Sequence, residues 1–291
     1  MRQGGILSAD LYKIYVNPLL DRLNKTGIGA KVGGIICNTS ACADDVTINT
    51  YSDQVVQILL DIAADFANQE RYELQPSKTN IVRIKPSHRL SISGEMQTLL
   101  LNDSEIPEVE QVTHIGLEIA NTISNAAEAN VENNIKKARR ATYSLMSTGL
   151  HGNNGLDPES SLQLIKTYIT PILLYGLELI LPNKTLTTKL ERFQKKLLKQ
   201  VLSLPQNTPV YAVYLLTGFL PVELQLHKKA LVFFNICSQN EESIEKQLAR
   251  RQLAVKSNNS NSWFVLIKKL LLKYNLNNPI YLLDHPVERQ E

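Results

Sequence analysis

The sequence predicts an α+β fold in which a mixed segment precedes an all-helical one. Three observations carry this. Over residues 1–121, short β-prone runs alternate with turn residues and two helical stripes. Beyond about Asn121, apolar residues recur at helical spacing in one long pattern after another. The charge changes at the same place: residues 1–120 carry 10 Lys/Arg against 15 Asp/Glu, and residues 121–291 carry 21 against 13. With 43% apolar residues in 291, the chain can bury a real core, as one large domain or two ordinary ones.

In order, the chain opens on Arg2-Gln3-Gly4-Gly5-Ile6-Leu7-Ser8, where two glycines permit a sharp turn or close approach to a ligand. Leu7, Leu11, Ile14, Tyr15, Leu19 and Leu23 then predict a helix from about Ser8 to Asn24, with Pro18 kinking it or ending it near Asn17. Glycines 27, 29, 33 and 34 punctuate a move into strands, Ile35–Cys37 and Val46–Ile48, joined through Asn38-Thr39-Ser40-Ala41-Cys42-Ala43-Asp44-Asp45. Ser52 is placed as an N-cap, and Val55, Leu59, Ile62, Ala63 and Phe66 mark the apolar stripe of a second helix. Gln75-Pro76-Ser77-Lys78-Thr79 is a turn feeding a strand at Ile81–Ile84. A strand pair is expected from Met96–Leu101 and Val112–Ile119, joined by the acidic loop Asp103–Glu110. Thr113–Ile119 alternates as one strand, with Gly116 admitting a neighbouring backbone.

Helices follow at roughly 124–148, 158–181, 184–203, 208–217, 221–238, 241–254, 262–274 and 279–284, with prolines 158, 182, 205, 221 and 279 at their edges. The second of these reads as a buried helix with a break, because Thr170, Pro171, Gly176 and Glu178 interrupt its apolar run. The Gly149–Asp157 loop is a candidate boundary between the α+β and all-helical parts.

The cysteines, Cys37, Cys42 and Cys237, are odd in number and lack zinc spacing, which supports neither a disulfide scaffold nor a zinc knuckle. No run is apolar and long enough to cross a membrane and no secretory signal is read, so the expected location is intracellular, nuclear or cytoplasmic. An acidic half able to gather cations, followed by a basic half able to meet phosphates, suits a nucleic-acid enzyme. A basic helical domain that is merely solvated has the same charge pattern.

The chemistry centres on Asp44 and Asp45. Adjacent carboxylates repel unless a cation sits between them, so a hairpin presenting both suits a hard divalent ion such as Mg²⁺. A solvated turn is the plain alternative.

The order of Gln3-Gly4-Gly5, a helix, Ala43-Asp44-Asp45 on a hairpin, Gln75-Pro76-Ser77-Lys78-Thr79 after a helix, and Ile115-Gly116 resembles successive motifs of a reverse transcriptase palm of the non-LTR (LINE-type) retrotransposons. The specific likeness covers about residues 2–120. It implies a partial polymerase palm, an antiparallel sheet with two helices, over 1–121, a helical thumb-like region over 122–203, and a helical connector over 204–291. It further implies RNA-templated DNA synthesis with two Mg²⁺ ions, an RNA template, a DNA primer and deoxynucleoside triphosphates. Asp44 and Asp45 would be the catalytic metal ligands, with Asp44 the principal one. Gln3, Gly4 and Gly5 would lie against nucleotide and template, or be an ordinary chain start. Lys78 would act on the leaving pyrophosphate, or be a solvated turn lysine. Ile115 and Gly116 would form the primer grip, or a plain core strand. Lys136, Lys137, Arg139, Arg140, Lys195 and Lys196 would meet the nucleic-acid backbone, or be solvated helix faces. Trp263 and Phe264 would stack on bases or anchor the last long helix.

The sequence also departs from that family. Only two residues precede Gln3, so the upstream strand with a further catalytic acid is expected to be missing, and the chain reads as an N-terminally truncated fragment. Cys42 stands where an aromatic residue is usual, Ala9 where proline is common, and Asp10 where an apolar or small residue is usual. The chain alone is therefore expected not to polymerise. The alternative is a non-catalytic nucleic-acid-binding or interaction protein derived from a retroelement.

Overall fold

The computed structural model describes residues 7–85, 97–152 and 154–287. Contacts divide the chain into two compact units, Met1–Thr122 and Ile123–Glu291. The first is α+β and the second all-helical, as the sequence predicts.

In the first unit, α1 (Ser8–Lys25) continues through Pro18 rather than ending near Asn17. The lost hydrogen bond is outweighed by packing: Val16, Leu19 and Leu23 bury against Leu59, Ala63 and Phe66 of α2 (Asp53–Gln69). Ser52 precedes α2 in extended conformation, but its hydroxyl does not cap the helix. The β structure is a set of separate two-stranded antiparallel ribbons among the described residues, not one sheet. These are β1 (Lys31–Val32) with β2 (Ile35–Ile36), β3 (Thr39–Cys42) with β4 (Asp45–Ile48), β5 (Leu100–Leu101) with β6 (Ser104–Glu105), and β7 (Gln111–His114) with β8 (Leu117–Ala120).

Three sequence expectations change here. The segment Met96–Leu101 does not pair with Val112–Ile119; Met96 lies outside the described residues, and Leu100–Leu101 folds back on Ser104–Glu105. Asn102 and Asp103 take positive φ values of 50° and 60°, the turn that a two-residue hairpin needs and that these residue types tolerate. Thr113–Ile119 is likewise two strands, turned at Ile115 (φ 50°) and Gly116 (φ 76°). Ile81–Ile84 forms no strand beyond one parallel bridge from Ile81 to Glu108. It is held by side chains instead: Arg83 bonds Asp53 at 2.5 Å and Glu108 at 2.9 Å.

The second unit begins with α3 (Ile123–Met146), so the Gly149–Asp157 loop lies inside it and does not divide α+β from helical structure. Next, α4 (Pro158–Leu164) passes through a π-helical turn, Ile165–Ile169, into α5 (Thr170–Leu173). The expected break follows, with Gly176 at φ 68° before α6 (Leu177–Ile180). Buried Asn134 on α3 donates to the carbonyl of Tyr175 at 2.9 Å, tying α3 to this break. Then come α7 (Lys184–Val201), α8 (Val210–Thr217), α9 (Val222–Ser238), α10 (Ile244–Val255), α11 (Trp263–Lys273) and α12 (Pro279–Asp284). One core joins α3 to the start of α9, including Val131, Ile165, Leu190, Val213 and Leu226. A second joins Ala230 and Phe234 of α9 to Ala249, Ile267 and Leu283. Trp263 anchors that second core, donating Nε1–H to the Glu178 carbonyl at 2.9 Å and meeting Phe233 and Phe264 edge-on. No described helix is long and apolar enough to cross a membrane, and all three cysteines are free.

Candidate metal and nucleic-acid site

The site is built on the β3–β4 hairpin. Cys42 pairs with Asp45 and Thr39 with Ile48, leaving Ala43 and Asp44 as the loop, with Ala43 at φ 53°. That register puts Asp44 at the tip and Asp45 at the first position of β4, both exposed.

What fixes the hairpin is a buried amide. Asn38 is fully buried, and its Nδ2 donates to the carbonyls of Leu23 and Ile28, each at 2.9 Å. The Thr39 hydroxyl donates to Asn24 Oδ1 at 3.2 Å, and the Asn49 amide to the Asn38 carbonyl at 2.6 Å. The strand carrying the acids is thus tied to the end of α1. Gly29 makes room: a Cβ there would sit 2.6 Å from that of Asn38.

Two further side chains face the acids. Tyr12 on α1 has its phenol pKa raised, first by burial and then by the negative charge of Asp44, with Asp45 adding a smaller part. His114, at the end of β7, places Nδ1 3.9 Å from Asp45 Oδ2 and Nε2 3.4 Å from the Thr47 hydroxyl. The turn at Ile115 and Gly116 therefore begins one residue from a contact with Asp45. The sequence offered no signal for Asn38, Tyr12 or His114, because each acts across a fold contact.

Among the other expected residues, Lys78 sits exposed in a one-turn 3₁₀ helix, Pro76–Lys78, and its ammonium makes no ion pair among the described residues. Gln3, Gly4 and Gly5 lie outside the described residues. In the helical unit Lys136, Lys137, Arg139 and Arg140 are all exposed on α3. Lys195 stands 3.7 Å from Glu191 on α7, and Lys196 is exposed. Lys189 does not add to this basic face: it pairs with Glu128 at 3.2 Å and Glu132 at 3.1 Å, holding α7 to α3.

The donor chemistry fits a hard divalent cation in part. Asp44 and Asp45 offer accessible carboxylate oxygens, and their joint field reaches Tyr12. Among the described residues, no three His, Cys, Asp or Glu side chains converge as a metal-holding group. A complete coordination sphere needs oxygens beyond these two side chains.

Residues 1–119 match the sequence profile of the family described as reverse transcriptase (RNA-dependent DNA polymerase). The α+β unit with its acidic hairpin is therefore the stretch that is similar to reverse transcriptases. The chain is also 27% identical over 220 residues to the retrovirus-related Pol polyprotein from type-2 retrotransposable element R2DM of Drosophila melanogaster. The matched stretch covers 74% of this chain and 20% of that protein, so the chain spans about one fifth of that relative's length. The likeness is thus to reverse transcriptases over residues 1–119 and to a retrotransposable-element polyprotein over 220 residues. No solved structure gives a significant match.

Proposed function

We propose that the chain is the palm-and-thumb portion of a non-LTR retrotransposon reverse transcriptase, serving RNA-templated DNA synthesis. The observation that carries this is the exposed Asp44–Asp45 pair held beside the 115–116 turn through His114. Over 1–121 the residues act as a partial palm, over 122–203 as a thumb, and over 204–291 as a connector. Asp44 and Asp45 would hold Mg²⁺, two ions in the complete enzyme. Bound there, the metal supplies charge neutralisation for a primer hydroxyl and a leaving pyrophosphate. Asp44, in the two-residue loop, would be the principal ligand. His114 Nδ1 stands 3.9 Å from one oxygen of Asp45, and the other oxygen is left for the cation. Ile115 and Gly116 brace the primer end against the same hairpin. Lys78, exposed, donates a proton to the leaving pyrophosphate or holds its negative charge. Gln3, Gly4 and Gly5 approach the nucleotide. The exposed cations of α3, with Lys195 and Lys196 of α7, contact the phosphates of an RNA–DNA duplex. Such work belongs to the nucleus or cytoplasm.

This chain alone is expected not to polymerise, since its described residues bring only two carboxylates to the site. A further acidic donor would come from another segment or another polypeptide. The test combines Mn²⁺ binding, followed by electron paramagnetic resonance, with primer extension on an RNA template. Mn²⁺ bound in the presence of template-primer should be lost in Asp44→Asn/Asp45→Asn, with no extension from either protein. Equal Mn²⁺ binding by wild type and double variant would refute the metal site. Extension that needs both aspartates would refute inactivity alone. A second reading, a non-catalytic nucleic-acid-binding protein, is favoured by the four exposed cations of α3. It predicts RNA binding that weakens steeply with salt and ignores the aspartate changes.

A further inference from the structure

A groove of 350 Å³ lies in the helical unit, away from the basic face of α3. One wall comes from the π-helical turn, α5 and the residue that follows it: Lys166, Thr170, Pro171 and Leu174. The other comes from the Gly218–Leu220 link and from Gln225, Lys228 and Lys229 on α9. A π-helical turn is a rare form that concentrates at functional positions, and here it delivers a lysine to the groove. In α8, which leads into the Gly218–Leu220 link, Leu215 and Leu216 are exposed by 85% and 65%, and Leu220 of the groove itself by 47%. Leucines left this open, next to a groove with apolar walls, mark a surface that a partner covers.

The charges decide what kind of partner. The Lys229 ammonium donates to the Leu174 carbonyl at 3.3 Å and pairs with Glu178 at 3.4 Å. Lys166 lies over the Phe219 ring, 5.3 Å from its centroid. Lys228 makes no ion pair among the described residues. A phosphate chain needs several free cations and open ring faces on which bases stack. The groove offers one unpaired ammonium, a second that only a ring engages, and a phenylalanine only 6% exposed. Apolar side chains with one or two carboxylates match it better. We propose that this groove docks an acidic amphipathic helix of a partner polypeptide, with apolar residues one or two helical turns apart lying along Pro171 and Leu220. Its carboxylates meet Lys228 and Lys166.

The proposal does not depend on polymerase chemistry, and its test runs on the full chain. The probe is a fluorescein-labelled 15-residue helical peptide of leucine and glutamate in that pattern, followed by fluorescence anisotropy at physiological salt. A second peptide carries lysine for each glutamate, and a single-stranded RNA oligonucleotide serves as competitor. The acidic peptide should bind at least about tenfold tighter than the lysine peptide. Lys166→Glu/Lys228→Glu should weaken it at least about tenfold while leaving the thermal unfolding curve in place. Lys228→Glu alone covers the case in which removing Lys166 disturbs Phe219, and it should weaken binding severalfold. Equal affinity for the two peptides, or an affinity unchanged in the lysine variants, would overturn the proposal. RNA that displaces the peptide, and itself loses affinity in the double variant, would overturn it in favour of a nucleic-acid groove.

Discussion

Replacing Asn38 with alanine should loosen the hairpin that carries the acids, although residue 38 touches neither acid. The side chain is fully buried and donates to two carbonyls, those of Leu23 and Ile28, each at 2.9 Å. The Leu23 carbonyl keeps another donor, the Thr26 hydroxyl at 2.6 Å. The Ile28 carbonyl, in a part-buried site, loses its amide donor. A carbonyl left without its partner there costs about 1–3 kcal/mol, and the buried bond to Leu23 with its lost packing adds about 1 kcal/mol. The sum, about 2–4 kcal/mol, is a large part of a typical domain's stability. Hydrogen exchange of the amides of Ala30, Cys37 and Asn49 reads it directly, since all three close hydrogen bonds around Asn38. Where exchange follows the opening equilibrium, it should quicken roughly thirtyfold to several hundredfold. Mn²⁺ binding at Asp44 and Asp45 should weaken in parallel. Asn38→Asp, the same shape without a donor, should be at least as damaging. Gly29→Ala should act on the same joint, because the new methyl meets Asn38 and the backbone there has φ of 96°. Exchange within threefold of wild type in Asn38→Ala would refute the reasoning.

Ile115→Asn should stabilise the β7–β8 ribbon by about 1 kcal/mol, read as slower amide exchange over residues 111–120, because a β-branched side chain at φ 50° is strained and asparagine tolerates that region. A loss of protection would mean that the isoleucine packs for more than its half-exposed position suggests. His227 gives the helical unit a pH dependence. Burial, and secondarily the charge of Lys273, holds its imidazole pKa below the ordinary 6.5 while Nδ1 meets the Tyr274 hydroxyl at 2.7 Å. The unfolded chain therefore binds the proton first: the stabilisation is full above pH 6.5 and falls as pH drops from 6.5 through the lowered folded value. Urea midpoints followed by Trp263 fluorescence should be flat above about pH 7 and decline below it, and His227→Asn should flatten the decline.

The amino-acid order by itself determined the helices, the change to helical character beyond about Asn121 though not the loop at which the units divide, and the residues on which the family likeness rests. Helical spacing is a local property, and a stripe such as Leu186, Leu190, Leu197 and Leu198 on α7 states both the helix and its buried face. It also announced the break near Gly176 and the acid pair on a turn. Strand pairing was less legible, because a short alternating run does not name its partner: Ile81–Ile84 found none, and Thr113–Ile119 folded on itself at a glycine. Only the tertiary structure decided which side chains surround the acids. Asn38, Tyr12 and His114 come from a link, a helix and a distant ribbon, and nothing in their own neighbourhoods distinguishes them from solvated residues. The basic helices divided in the same way: Lys189 turned to Glu128 and Glu132 across the α3–α7 seam, while the four cations on α3 stayed open. A charge's role depends on what stands within a few ångströms of it, and that distance is set by the fold.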